Sequence, residues 1–524
     1  MKNLVSFIFV ITALMILTGC QQQLSEAGSN NKDRLVISWP QDVGPLDPHS
    51  YGENQMFAQN LVYESLVKHD EKGEIQPHLA ESWEISEDER TYTFFLREGV
   101  KFSDGSKFNA KNAKKNFDAV LAAPDDHAWL ELTNQITQTE VIDPYTFEIT
   151  LEDTYYPLLE ELALVRPFRF LGDAEFSEDR QFKDPVGTGP WVLQEYRKDE
   201  EAVFHRNENY WGEKPEMEEL VVRVIPDGDA RVMAFENEEI DMIYGDGLIS
   251  LDAFDHLQSN ENYEVGTSPP QATRALALNS NRGATEDHHF RQALNHAFDA
   301  HSFIEDMLHQ TEEHALSLFP DDTPYQPDDL DPYEYDPSKA ESLLEESGWE
   351  QVDNNDIREK NGEPLQLTFV FDANDKVQTI LAEYMQSELR ALGIDIVLSG
   401  VDNQSFLEAQ KSGDFDIIYN ETWGAQYDPH AMFSSMRVPS HADYQAQLGL
   451  ADKDELDEKI SQVLVETDEQ QREKQYEDII STLHDEAIYL PVSSPSTIAV
   501  YHDDIEGVQY SPIPYEFSLE QVRR

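Results

Sequence analysis

A single cysteine, Cys20, serves a chain of 524 residues, so no internal disulfide can brace the fold. Basic residues are scarce too: 38 Lys and Arg stand against 104 Asp and Glu, a formal net charge of −66. Nucleic-acid binding is thereby excluded, because gripping phosphates requires a basic surface. After Cys20 no apolar run approaches the ~20 residues that a membrane-spanning helix needs. The common catalytic signatures are also missing: no Gly-x-Ser-x-Gly turn, no phosphate-binding Gly-rich loop ending in Lys-Ser/Thr, no His-Glu-x-x-His pair. Carboxylates are so abundant that a neighbouring acid–base pair carries no information by itself.

What is present begins at the N-terminus. Met1-Lys2-Asn3 is a short positive start, Leu4 to Leu17 is almost wholly apolar, and Leu17-Thr18-Gly19-Cys20 follows. That order is the pattern of a secretory signal. Leu-Thr-Gly-Cys resembles a bacterial lipobox, which makes residues 1–19 an expected lipoprotein signal peptide and Cys20 the expected lipidation site. Residues 20–33 read as a flexible polar tether. Roughly 490 residues remain, too many for one core, so two or more lobes are expected. The apolar content of 39% and the 22 Tyr, 26 Phe and 7 Trp point to a folded globule rather than disorder.

Strand and helix patterns alternate along the chain. Arg34 to Trp39 predicts a strand that stops at Pro40. Tyr92, Phe94 and Leu96 alternate with other neighbours, as do Tyr145, Phe147, Ile149 and Leu151, and both runs predict half-buried strands. Between them Asn109 is a candidate helix cap for a face of Ala110, Ala113, Phe117, Val120 and Leu121. Leu220 to Ile225 and Ala275 to Asn279 read as strands. Phe290, Ala293, Leu294, Ala297 and Phe298 keep helical spacing. Leu365 to Phe371, then a helix from Val377 to Leu389, then Ile394 to Val401 form a strand–helix–strand order that predicts parallel strands. Asp416 to Tyr419, Ala487 to Val492 and Ile498 to Tyr501 complete the strands. Six of the 16 histidines lie between His288 and His314, but without the i, i+4 spacing that would set two imidazoles on one helix face, so they read as packed or exposed helix residues.

Several long stretches are more specific. Asp184-Pro185-Val186-Gly187-Thr188-Gly189-Pro190-Trp191, Arg206-Asn207-Glu208-Asn209-Tyr210-Trp211, His78-Leu79-Ala80-Glu81-Ser82-Trp83 and Leu96 to Gly105 resemble the signatures of the dipeptide/oligopeptide/nickel family of solute-binding proteins. Asp42 to Leu46, Asn54 to Ala58, Leu164 to Phe170 and Ser434 to Gln447 are most similar to the nickel-binding branch. The resemblance implies an α/β fold of two lobes with the ligand in the cleft between them: lobe I from 34–266 and 495–524, lobe II from 267–494. It implies capture of Ni(II) with a small organic chelator, delivery to the permease subunits of an ABC importer, and no bond broken in the ligand. The receptor is expected to be a monomer held to the outer face of the cell membrane by the lipid on Cys20. By resemblance His441 donates a nitrogen to the metal and Arg166 grips a chelator carboxylate. Tyr51, Met56, Trp129, Trp423 and Tyr427 line the pocket. One protein nitrogen cannot fill a nickel coordination sphere, so the chelator must provide the rest, and imidazole suits Ni(II). Where the resemblance implies a second arginine, this chain has Asp126. That exchange favours a chelator of low net charge, such as two free histidines.

Other readings are a peptide receptor or an opine-metallophore receptor of the same family, and a sensory lipoprotein without an importer. The dispersed acidic surface points to a saline or alkaline exterior, since salt screens such charge within about 3 Å at about 1 M. The thermal unfolding midpoint should therefore rise when salt is raised from about 0.1 M to about 1 M. An unchanged midpoint would remove the saline part of this expectation.

Overall fold

The computed structural model describes residues 33–524 except 51–54, 71, 128, 176–181, 271, 310, 320–324, 328–329, 353–355, 423–428 and 512–515. Three sheets organise the chain. In the seven-stranded sheet, Arg34–Trp39 lies at the centre, parallel to Glu219–Val224 on one side and to Met242–Gly245 on the other. Glu201–Arg206 and Trp191–Arg197 continue one edge, and Ile498–His502 and Tyr263–Thr267 the other, all antiparallel. A four-stranded antiparallel sheet runs Ala80–Ile85, Thr91–Leu96, Thr146–Leu151, Ile136–Asp143. Both sheets fall within the expected lobe I, 34–266 with 495–524.

Lobe II is built on a six-stranded sheet in the order Glu313–His314, Tyr489–Ser494, Arg274–Leu278, Ile417–Glu421, Gln366–Asp372, Asp395–Val401. Gln366–Asp372 and Asp395–Val401 pair in parallel from Gln366↔Asp395 to Asp372↔Val401, joined by the helix Lys376–Ala391. The strand–helix–strand reading of that stretch is thus observed.

Local chemistry explains the elements. Thr91–Leu96 and Thr146–Leu151 alternate between buried and half-buried residues, as a sheet covered on one face requires. Arg274–Leu278 is buried throughout, as befits a central strand. Asn109 caps Ala110–Leu121 by accepting from the Lys111 and Asn112 amides. One expectation needs correction: the helix His288–Ala297 stops before Phe298, which is extended. Asp299 then accepts from the Ser302 amide and starts a new helix, Ala300–Asp306. A local cap thus overrides the continuing apolar spacing. Two histidines of this region hold the main chain: His296 Nδ1 meets the Glu334 carbonyl at 2.7 Å and His288 Nε2 the Asp485 carbonyl at 2.7 Å.

The conserved-looking glycine motif clasps a helix end. Gly189 N–H donates to the Val62 carbonyl at 2.8 Å, at the end of the helix Met56–Val62. A Cβ on Gly187 would lie 2.0 Å from that carbonyl oxygen, so only glycine fits. Asn207 Nδ2 donates to the Gly189 carbonyl, and Trp211 Nε1 donates to Glu64 at 2.8 Å. The two signatures together fix the helix that begins at Met56.

Among the described residues, two contacts between the lobes stand out. At the crossing strands, Ser268 N–H donates to the Thr497 carbonyl and Thr497 N–H to Ser268 Oγ, both at 2.9 Å. Beside them Arg274, 3% exposed, reaches Asp246 of lobe I at 2.5 Å and Glu312, Tyr419 and Glu421 of lobe II at 3.1, 2.9 and 3.4 Å. Burial alone would lower its pKa, but the surrounding acids raise it well above the ordinary arginine value. The second contact joins the helical cap of the four-stranded sheet to lobe II, where one apolar cluster runs from Leu158 and Leu162 to Phe433 and Tyr476.

Arg274→Met should leave three carboxylates without their cation and destabilise the protein by about 3–5 kcal/mol. Urea unfolding checks this, and adding Glu312→Gln to the variant should recover part of the loss.

Candidate functional site

Four segments converge at the second lobe contact. The first is 43–50 with Gln55 and Met56, where a helix starts. Gln55 caps its backbone to the Val43 carbonyl at 3.0 Å, and Gln59 Nε2 donates to the Asp47 carbonyl at 2.7 Å. The second segment holds Asp126, His127 and Trp129. The third is 163–170, with a cis Arg166–Pro167 bond. The fourth runs from His430 to Asp443 in lobe II.

Side chains tie these segments together. His49 Nε2 lies 3.2 Å from the Arg169 carbonyl, joining the first segment to the third. Arg169 is buried and donates to the Val165 and Ala163 carbonyls at 2.8 and 3.1 Å, so the turn around Arg166 is held from within. His127 is buried in electrostatic reach of His49 and Asp47. Between the lobes, Arg437 donates to Glu131 at 3.1 Å. Glu131 follows Trp129 by two positions and Arg437 precedes His441 by four. The Trp129 and His441 segments therefore face one another across the lobe boundary.

His441 stands at the N-cap position of the helix Ala442–Gln447 in an extended conformation. Its base is rigid: Asp443 is fully buried and accepts from Asn420 Nδ2 at 2.9 Å and the Tyr489 hydroxyl at 2.7 Å. Burial, more than the opposing pull of Asp443, lowers the His441 pKa. Burial also lowers His127 and takes His49 down to about 4. All three imidazoles are thus neutral at pH 7, and a neutral imidazole is the form that donates to a metal. Burial raises the Asp47 carboxyl. The convergence brings neutral imidazoles, an arginine and an indole onto neighbouring segments, polar and aromatic groups of the kind that line ligand sites.

Of the residues expected from sequence, Met56, Trp129, Arg166 and His441 are half-buried on these segments. Asp126 is exposed on the turn before Trp129, and its charge acts on the buried His127. Cys20, Tyr51, Trp423 and Tyr427 lie outside the described residues. His49, Asp47 and His127 were not singled out by sequence reading. His127 adjoins Asp126 in the sequence, but nothing there signals that it is the inward-facing partner. Among the described residues no group of three or more His, Cys, Asp or Glu could hold a metal by itself. No helix among them is long and apolar enough to cross a membrane.

Comparison with known proteins agrees with this architecture. The chain is 45% identical to the nickel-binding periplasmic protein of Escherichia coli strain K12 over 514 residues, covering 97% of this chain and 98% of that one. The crystal structure of NikA from Brucella suis in complex with Fe(III)-EDTA superposes with a TM-score of 0.91 at 48% identity, covering 93% of this chain and 99% of that one. NikZ from Campylobacter jejuni shares the fold at a TM-score of 0.81 and 24% identity, covering 94% of this chain and 100% of that one. Residues 74–444 match the profile described as bacterial extracellular solute-binding proteins, family 5 Middle. With this fold and these likenesses, the chain belongs to the family 5 bacterial extracellular solute-binding proteins.

Proposed function

We propose that this protein is the receptor of an ABC importer that captures nickel as a complex with a small chelator and hands it to the permease. The observation that carries the reading is the 45% identity, over nearly the full length, to a nickel-binding relative. The placement of His441 supports it. A half-buried neutral imidazole on a rigid base is a first-row metal donor, and a borderline metal prefers it to lone carboxylates. The lobes are bounded near 34–266 with 495–524, and 267–494. Arg166 grips a chelator carboxylate through its planar fork. Met56 and Trp129, with Tyr51, Trp423 and Tyr427, form the desolvated wall.

The chelator has low net charge, with two free histidines around Ni(II) as the leading candidate. Support comes from Asp126, an anion at the position where the family resemblance implies a cation, and from the negative charge of the whole chain. The NikA of Brucella suis was crystallised with a tetracarboxylate chelate, Fe(III)-EDTA, so chelator choice would separate the two receptors. A lipid on Cys20 anchors the receptor, as a monomer, outside the membrane beside its permease.

His441→Ala should weaken binding of the nickel complex by tenfold or more, about 1.4 kcal/mol. Unchanged affinity would remove His441 from the metal. Calorimetry should find the bis-histidine nickel complex bound more tightly than a tri- or tetracarboxylate complex, and the reverse order would sink the low-charge chelator.

A further inference from the structure

Among the described residues, Glu161 and His430 are a pair of ionisable side chains at the lobe boundary that are both 0% exposed. Glu161 lies on the lobe I helix Leu158–Ala163, and His430 opens the lobe II helix His430–Ser435. Glu161 Oε2 accepts from the Leu132 amide at 2.9 Å, and Oε1 from the Tyr155 hydroxyl at 2.5 Å. His430 Nε2 approaches Oε1 to 3.6 Å. One carboxyl group thus touches the segment that follows Trp129, the helix that leads to Arg166, and the helix that leads to His441. Around it the other contacts also run from lobe to lobe. The Tyr156 and Tyr476 hydroxyls are 2.6 Å apart, the Arg472 guanidinium lies 4.2 Å over the Tyr156 ring, and Arg437 pairs with Glu131. Thr154 donates to the Val465 carbonyl at 3.0 Å.

We propose that Glu161 and His430 form a latch between the lobes, a positioning pair that sets the cleft walls in the closed arrangement and makes closure take up a proton. Glu161 keeps Tyr155 and Leu132 as partners in either arrangement because both belong to lobe I. Its cover on the other side, His430, belongs to lobe II and leaves when the lobes part. Water then reaches the carboxylate and removes the desolvation that holds its proton.

The sign follows from the groups around it. Burial pushes Glu161 up to about 7, with nearby Glu131 adding to the rise, against the opposing effects of His430, Tyr155 and the Leu132 amide. In an opened, hydrated state it returns toward the ordinary glutamate value, about 4.3. The closed state therefore binds more protons between those limits. Closure is favoured fully below about 4.3 and loses that advantage as pH rises through about 7.

The test is single-molecule energy transfer between dyes on the two lobes, read without ligand from about pH 5 to about pH 8. The closed-to-open ratio of the wild type should fall about tenfold or more across that range. Glu161→Gln keeps an acceptor for the Leu132 amide and has no proton to lose, so its ratio should stay level. Glu161→Ala, should it remain folded by circular dichroism, should lie open at every pH. A level ratio in the wild type, or an equal fall in Glu161→Gln, overturns the latch. The latch rests on lobe closure and not on the cargo. A wild type that opens with pH yet ignores the nickel complex would keep the latch and remove the nickel reading.

Discussion

A buried guanidinium at the crossing of the two lobes is the constraint on which the rest depends. Arg274 begins the central strand of lobe II and reaches a carboxylate of lobe I. Tyr419 and Glu421, on the neighbouring strand, share its charge with Glu312, which Ser493 also holds at 2.6 Å. Desolvating an ion costs several kcal/mol unless partners surround it. Here they come from both lobes, so the two lobes share one buried charge where the chain crosses between them.

The same logic recurs with other scarce cations. Arg169, Arg231, Arg291 and Arg358 are buried, and each donates to main-chain carbonyls of loops: Arg169 to Ala163 and Val165, Arg231 to Ile225 and Leu248, Arg291 to Thr285 and Glu286, Arg358 to Trp349 and Leu392. Five donors in a rigid fork suit this role better than a lysine ammonium does. An acidic chain with few bases thus places several of its arginines inside, where they staple the main chain. The Arg166 turn inherits its shape from one such staple, which links a composition fact to the geometry of the cleft.

The elements were legible because their periodicity is local. Alternation located Thr91–Leu96 and Thr146–Leu151, and the strand–helix–strand order anticipated the parallel pairing of Gln366–Asp372 with Asp395–Val401. Phe298 was misread because its spacing suited a helix while Asp299, one residue on, capped another. The site was legible only through long shared motifs, since no spacing rule joins residues as far apart as 129, 166 and 441. Glu161 could not be read at all. Among 104 acids nothing marks one carboxylate as buried, and its partner His430 is remote in sequence. His49 and His127 were hidden for the same reason: burial, which makes them neutral, is a tertiary property.

Net charge and the lobe boundary bear on each other. Bringing two acidic lobes together costs Coulomb energy that water and salt only partly screen. At the boundary, however, the charges are sorted. Lobe II contributes Arg437 and Arg472, and lobe I meets them with Glu131 and the Tyr156 ring. The local attraction opposes the global repulsion at the point where closure is decided. Arg437 and Glu131 are partly exposed, so their contribution is the one that salt weakens. Glu161 and His430 are sealed from water, and salt reaches them little. In a saline exterior the exposed repulsion and the exposed pair would both fade, leaving the sealed pair and the apolar contact of Leu158, Leu162, Phe433 and Tyr476 to hold the lobes. Closure in such a medium is then governed by burial and by one proton rather than by the charge of the chain as a whole.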